Sequence, residues 1–170
     1  GKTIGLIGCG HNGSETGQLL AQLGCTVLAY DKYRSADDFP HGIRSATLDE
    51  IAQQAEVLSL HVPLTAETRS WVNQEFLEAF HHPFWLVNAS RGGVLDWTSL
   101  PALLDSGKIR GVALDVFEQE PPFGHPVFEN LQKRQNVVFS PHVAGWTMES
   151  YQKISEVLAS KLIHFQKNEA

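Results

Sequence analysis

A glycine-rich segment, Gly8-Cys9-Gly10-His11-Asn12-Gly13, separates the apolar run Thr3-Ile4-Gly5-Leu6-Ile7 from a stretch, residues 12–23, where Leu19, Leu20 and Leu23 recur at helical spacing. A G-x-G-x-x-G turn that leaves a strand and opens a helix admits few folds. In that setting Gly8 permits the tight turn, Gly10 lets a diphosphate approach the backbone, and Gly13 allows close helix–strand packing. The helix N-terminus adds unpaired N–H groups and a favourable dipole, which His11 and Asn12 would flank. At this point a ligand-free glycine turn is the competing reading.

The rest of the chain repeats the same alternation. Short β-branched and apolar runs at residues 3–7, 26–30, 57–61, 84–88, 109–115 and 137–140 read as strands, and their near-continuous apolar character suits strands covered on both faces. Gly24 stops the first helix. Thr47-Leu48-Asp49-Glu50 has the form of a capping box, so a short helix runs from there toward Gln54. Further helices are expected at 73–80 and 98–105, the second closed by Gly107. A last helix is expected at 147–167, with Ile154, Val157, Leu158, Leu162 and Phe165 at helical spacing and Thr147 as N-cap. The segment 119–126 holds three prolines and a glycine and reads as a loop. Strands alternating with helices predict an α/β fold of Rossmann type: a doubly wound parallel sheet in a single coenzyme-binding domain over residues 1–170. A chain of 170 residues, 42% hydrophobic, suits one core rather than two.

The second strand ends Leu28-Ala29-Tyr30-Asp31, which puts a carboxylate where a ribose clamp belongs in such a fold. An acid there accepts hydrogen bonds from the adenosine ribose hydroxyls and repels a 2′-phosphate, so NAD is preferred over NADP. Lys32 and Arg34 weigh against that preference unless they belong to a solvated turn. Methyltransferases that bind S-adenosylmethionine also use a glycine turn and an acid after the second strand, so residues further along must decide.

Three segments follow predicted strands: Asn88-Ala89-Ser90-Arg91-Gly92-Gly93, Leu114-Asp115-Val116-Phe117-Glu118-Gln119-Glu120-Pro121, and Ser140-Pro141-His142-Val143-Ala144-Gly145-Trp146. Ligands of open parallel sheets bind beyond the carboxyl ends of the strands, where Arg91, Glu120 and His142 can converge. The set suits a 2-oxo acid. A guanidinium grips a carboxylate or carbonyl with paired hydrogen bonds. A histidine exchanges a proton with the carbonyl oxygen, and a carboxylate orients the imidazole and favours its charged form. Each residue has a plainer reading: a strand-end arginine, a solvated acid with Glu118 as competitor, a structural histidine.

Taken together, these segments resemble the D-isomer-specific 2-hydroxyacid dehydrogenase family, which includes phosphoglycerate, glycerate and erythronate-phosphate dehydrogenases. The likeness runs through the glycine loop, Val57-Leu58-Ser59-Leu60-His61-Val62-Pro63-Leu64-Thr65, and residues 88–96, 111–121 and 140–147. The resemblance implies that Arg91, Glu120 and His142 are the catalytic residues and that Asp115 holds the nicotinamide carboxamide. It further implies that Val62, Pro63, Thr68, Asn88, Ala89, His142 and Ala144 line the cofactor, NAD. The implied function is hydride transfer between NAD and C2 of a small D-2-hydroxy or 2-oxo acid, in a homodimer of the full-length protein. Asn12 departs from the aliphatic residue more usual at its position and is read as a helix cap. The family's flanking substrate domain is absent from this chain, so the coenzyme domain alone is expected to bind NAD and turn over little substrate. A NAD-sensing regulatory or assembly module of corepressor type is the alternative reading, because such proteins resemble the family too.

Thirteen Lys and Arg against nineteen Asp and Glu give a net charge of −6, which offers no broad basic surface for nucleic acid. No apolar run is long enough to span a membrane. Two cysteines, Cys9 and Cys25, fit reduced thiols in a cytoplasmic protein. No metal site is expected from His11, His41, His61, His81, His82 or His125. Trp71, Trp85 and Trp97 are expected in or over the core, and the role of Trp146 stays open.

Overall fold

The computed structural model describes residues 1–168. Strands β1 (Thr3–Ile7), β2 (Thr26–Tyr30), β3 (Ile43–Ser45), β4 (Val57–Leu60), β5 (Phe84–Asn88), β6 (Ile109–Leu114) and β7 (Val137–Phe139) form one seven-stranded sheet in the order β3-β2-β1-β4-β5-β6-β7. Every pairing is parallel. Helices α1 (His11–Gln22), α2 (Leu48–Gln54), α3 (Gln74–Glu78), α4 (Leu100–Asp105), α5 (Pro126–Leu131) and α6 (Met148–Asn168) occupy the connections and the chain end.

The middle strands are apolar at almost every position because helices cover both faces. Leu6, Ile7, Leu28, Leu58, Leu60 and Leu86 are completely buried. The order reverses at β1: the chain first builds outward through β2 and β3, then returns to place β4 on the other side of β1. That reversal parts the loops after β1 and β4 and opens a crevice at the carboxyl edge, where α/β proteins bind nucleotides. Two backbone bonds fix its rim, Gly8 N–H to Tyr30 O at 2.8 Å and His61 N–H to Ile7 O at 2.7 Å.

Helix α1 lies where the leucine spacing predicts, but its packing face differs from the one that spacing suggests. Leu19 and Leu23 are exposed, whereas Gly13, Ser14 and Gly17 are buried and Leu20 is only partly covered. A Cβ at Gly17 would stand 2.5 Å from Ile43 Cδ1 and 3.0 Å from Leu6 Cδ1, so a side chain there would have to displace those methyl groups. The capping box of α2 forms as read: Thr47 Oγ1 accepts from Glu50 N–H at 3.1 Å, and Glu50 Oε2 accepts from Thr47 N–H at 2.8 Å. Thr147 caps α6, its Oγ1 accepting from Ser150 N–H at 3.0 Å.

Two elements escaped the sequence reading. Strand β3 has three residues and one buried side chain, Ile43, too little for a periodic signal. Helix α5 begins at Pro126, which fits the first helical position because its missing N–H has no partner there anyway. Helix α6 presents Ile154, Leu158, Leu162 and Phe165 to solvent despite their helical spacing. Trp97 is buried and Trp71 packs against the core, while Trp85 is about half exposed over Gly111, and Trp146 is exposed. Among the described residues no helix is long and apolar enough to cross a membrane.

Candidate active site

Two adjoining cavities follow the carboxyl edge of the sheet. The first, about 460 Å³, is lined by Gly8, Gly10, Asp31, Lys32, Val62 and Thr68 among others. The second, about 360 Å³, is lined by Gly10, His11, Asn12, Ala89, Ser90 and Arg91. His61, Val62 and Pro63 belong to both walls. Each volume falls in the range of small-molecule sites, and together they make an elongated cleft suited to a dinucleotide.

The glycine loop between them shows how three small residues do three jobs. Gly8 has φ +96°, a left-handed conformation that side chains resist. A Cβ at Gly10 would meet nothing within 4 Å, so that surface is open to the cleft. At Gly13 a Cβ would instead collide with the Gly8 carbonyl and come within 3.3 Å of His61 Cβ, so this glycine keeps the helix against the strand. Gly10 is the N-cap of α1 and no side chain caps it. Asn12 therefore lies inside the first turn, facing the second cavity, and does not take the capping role its position suggested. The exposed N–H groups of that turn and the open face of Gly10 fit a diphosphate.

Asp31 lines one end of the cleft. Its Oδ2 accepts from Cys9 N–H at 2.8 Å and its Oδ1 from Tyr33 N–H at 2.9 Å, which fixes the carboxylate and leaves lone pairs for ribose hydroxyls. Thr68 Oγ1 donates to Pro63 O at 2.6 Å and accepts from Thr65 N–H at 2.8 Å, tightening the turn that forms the opposite wall.

At the other end, Asn88 is wholly buried. Its Nδ2 donates to Arg91 O at 3.1 Å, and its Oδ1 accepts from Ser90 N–H at 3.0 Å and Ser90 Oγ at 2.9 Å. Its side chain is thus committed to shaping the turn that presents Arg91. The exposed Arg91 guanidinium donates to Ser90 O at 2.6 Å. Glu120 and His142 meet directly, Oε2 to Nδ1 at 2.8 Å, while Glu120 Oε1 accepts from Phe117 N–H at 3.2 Å. The neighbouring acid, Glu118, turns instead to His125 at 3.6 Å. The hydrogen bond from His142, with help from Phe117 N–H and the Arg91 charge, holds the Glu120 carboxyl below its ordinary range.

His142 has φ +56°, unusual for a residue with a side chain. Asp115 secures this backbone: its Oδ1 accepts from Ser140 Oγ at 2.6 Å and Val143 N–H at 2.9 Å, and its Oδ2 from Ala144 N–H at 3.0 Å. Burial pushes the Asp115 carboxyl up, but the hydrogen bonds from Ser140, Ala144 and Val143 outweigh it and leave the group lowered.

Two further site residues were not picked out individually by the sequence reading. His61, first after β4, lies under the glycine loop with Nε2 3.0 Å from Ser59 Oγ, and burial lowers its pKa. Its signal was its place at a strand's carboxyl end beside the order reversal. Gly92 packs so closely on the Phe117 carbonyl that no Cβ fits, and it accepts from buried Trp97 Nε1 at 3.3 Å. That contact ties the Arg91 turn to the segment leading to Glu120, and only the fold reveals it. Among the described residues no group of three or more His, Cys, Asp or Glu is placed to hold a metal ion.

A doubly wound sheet with a glycine cradle, an acid after β2 and a carboxylate–imidazole pair at the carboxyl edge defines a dinucleotide-binding domain. The chain belongs to the D-isomer specific 2-hydroxyacid dehydrogenase family and is its NAD-binding domain, the family description matching residues 1–144. The glyoxylate reductase of Thermofilum pendens is 40% identical over 172 residues, covering 99% of this chain and 50% of that protein. The NAD-complexed D-isomer specific 2-hydroxyacid dehydrogenase of Lactobacillus delbrueckii ssp. bulgaricus superposes with a TM-score of 0.89 at 28% identity, covering 98% of this chain and 53% of that one. An acyclic imino acid reductase in complex with NADPH and D-Arg superposes with a TM-score of 0.84 at 26% identity, over 98% of this chain and 52% of that one. The chain thus spans about half the length of these relatives. Its cofactor is NAD, which sets the methyl-transfer reading aside.

Proposed function

We propose that this chain is the coenzyme-binding half of an oxidoreductase that moves hydride between NAD and C2 of a small D-2-hydroxy acid or its 2-oxo acid. One observation carries the reading: the 2.8 Å pairing of His142 Nδ1 with Glu120 Oε2, on a backbone secured by Asp115. An ionised Glu120 makes Nδ1 the donor, which turns Nε2 toward the substrate side as the proton-exchanging atom. In the reducing direction Nε2 gives its proton to the C2 oxygen as the carbon gains hydride; in oxidation it takes that proton back. Arg91, projecting from the turn held by Asn88, binds the substrate carboxylate. Asp31 would hold the adenosine ribose of NAD, Gly10 and His11 its diphosphate, and Ala89 and Ala144 would line the nicotinamide end, where the cofactor would supply or accept the hydride. Asp115 supports the nicotinamide end through the loop it anchors.

In this reading substrate selectivity resides outside these residues, so the chain by itself binds NAD and turns over little. A homodimer of the full-length protein and a cytoplasmic setting belong to the same proposal, the second supported by the free thiols Cys9 and Cys25. The test is a panel of 2-oxo acids assayed with NADH on the full-length protein. Oxidation of NADH by at least one of them is expected. Tight NAD binding with no turnover across the panel would refute hydride transfer and favour a NAD-sensing module.

A further inference from the structure

Asp31 is followed by two cations, Lys32 and Arg34, either of which could welcome a 2′-phosphate and blur the choice of dinucleotide. Neither is free to do so. Lys32 Nζ lies 2.6 Å from Glu67 Oε2, across the mouth of the first cavity, and both residues line that cavity. Arg34 Nη1 donates to Asp38 O at 2.8 Å, within a turn that Ser35 and Asp38 close on themselves. We propose that Glu67 is a specificity-determining residue of this site, which favours NAD over NADP by holding the Lys32 ammonium away from the 2′ position of the adenosine ribose.

Charge at the cavity rim discriminates between the two dinucleotides. Asp31, Lys32 and Glu67 together carry one net negative charge at the rim of the adenosine cavity. A ribose hydroxyl meets Asp31 as a hydrogen-bond donor, whereas a 2′-phosphate brings nearly two further negative charges against it. Lys32 is the cation that lines this cavity and could offset them, and Glu67 occupies it. The two side chains come from opposite walls, Lys32 just after β2 and Glu67 in the turn after β4 that Thr65 and Thr68 tighten. Both are more than half exposed, so the pair adds little to fold stability. Its consequence falls on the electrostatics of what enters the cleft.

This inference rests on the adenosine lying in the first cavity, as the proposed function places it. The test uses direct binding of NAD and NADP to the purified chain by titration calorimetry, for the wild type, Glu67→Gln, and Glu67→Gln combined with Lys32→Met. Glutamine keeps the size of Glu67 and releases the ammonium, so the affinity ratio shifts toward NADP by about two- to fivefold. The shift shrinks as salt is raised, because the contact is exposed. The double variant loses the gain. An unchanged ratio in Glu67→Gln, or a gain that survives removal of Lys32, overturns the proposal. A wild-type chain that binds neither dinucleotide overturns the underlying site assignment instead, and this inference falls with it.

Discussion

Gly10 and Gly13 lie three positions apart in one loop, and alanine at each should fail in a different way. At Gly13 the new Cβ collides with the Gly8 carbonyl and lies 3.2 Å from Gly8 C, all of it backbone that also bonds to Tyr30. Overpacking against atoms that cannot rotate away costs about 3 kcal/mol, at the upper end of such substitutions. Alanine returns about 1 kcal/mol through its better helix propensity. The net loss is about 2 kcal/mol, which for a domain of this size lowers Tm by about 4–8 °C. At Gly10 a Cβ meets no protein atom within 4 Å, and the backbone, at φ −70°, is open to alanine. Only the poorer N-cap is felt, about 0.5 kcal/mol or about 1–2 °C. In the proposed placement the methyl group stands in the diphosphate's space, so NAD binding weakens about tenfold or more, equivalent to about 1.4 kcal/mol. Thermal unfolding without ligand and calorimetric titration with NAD separate the two effects. A Gly13→Ala variant that melts within about 1 °C of the wild type, or a Gly10→Ala variant that binds NAD as tightly as the wild type, would contradict these two roles.

Replacing His142 by alanine in the full-length protein should cut turnover by about 10²–10⁴ while NAD affinity changes little, as steady-state kinetics and calorimetry would show. In the same variant the Glu120 carboxyl loses its largest source of stabilisation and titrates closer to the ordinary range, a rise readable by carbon NMR. Asp115→Asn leaves at least one of the Val143 and Ala144 N–H groups facing an amide N–H₂, and unfolding should show a loss of about 2 kcal/mol. Asp115 is lowered in the folded state, so its contribution is complete above its unfolded pKa of about 3.9 and disappears as pH falls through the lower folded value. The protection of the Val143 and Ala144 amides, measured as exchange relative to the intrinsic rate at each pH, should therefore fall only below about pH 4. Gly92→Ala should destabilise by more than about 3 kcal/mol, since the new methyl falls on the Phe117 carbonyl; a soluble variant with unchanged Tm would contradict the packing.

The parts legible in the sequence were those whose cause is local. Gly8, Gly10 and Gly13 lie close together between β1 and the first turn of α1, Asp31 directly follows β2, and the Thr47–Glu50 box closes on itself. The pairing of Glu120 with His142 was readable as chemistry and the choice of Glu120 over Glu118 came from the resemblance; in the structure Glu120 meets His142 while Glu118 lies by His125. What stayed hidden depends on distant segments meeting. Leu19 and Leu23 mark a helix, yet the nearness of Ile43 and Leu6 decides that its small residues face inward. Lys32 left the dinucleotide preference open because its partner, Glu67, stands 35 positions further along. Strand β3 and helix α5 are too short to announce themselves and form because the sheet edge and the core under Phe128 receive them.

The sheet joins segments that lie far apart along the chain. Strands β1 and β4 are neighbours at its centre although more than 50 residues of chain separate Ile4 from its partner Val57, and the walls of the cleft come from both sides of that junction. Contacts so remote in sequence form late and slowly during folding. Neither the β1–β3 portion nor the β4–β7 portion alone carries a whole binding surface, so capture of the dinucleotide reports that the two halves of the sheet have joined.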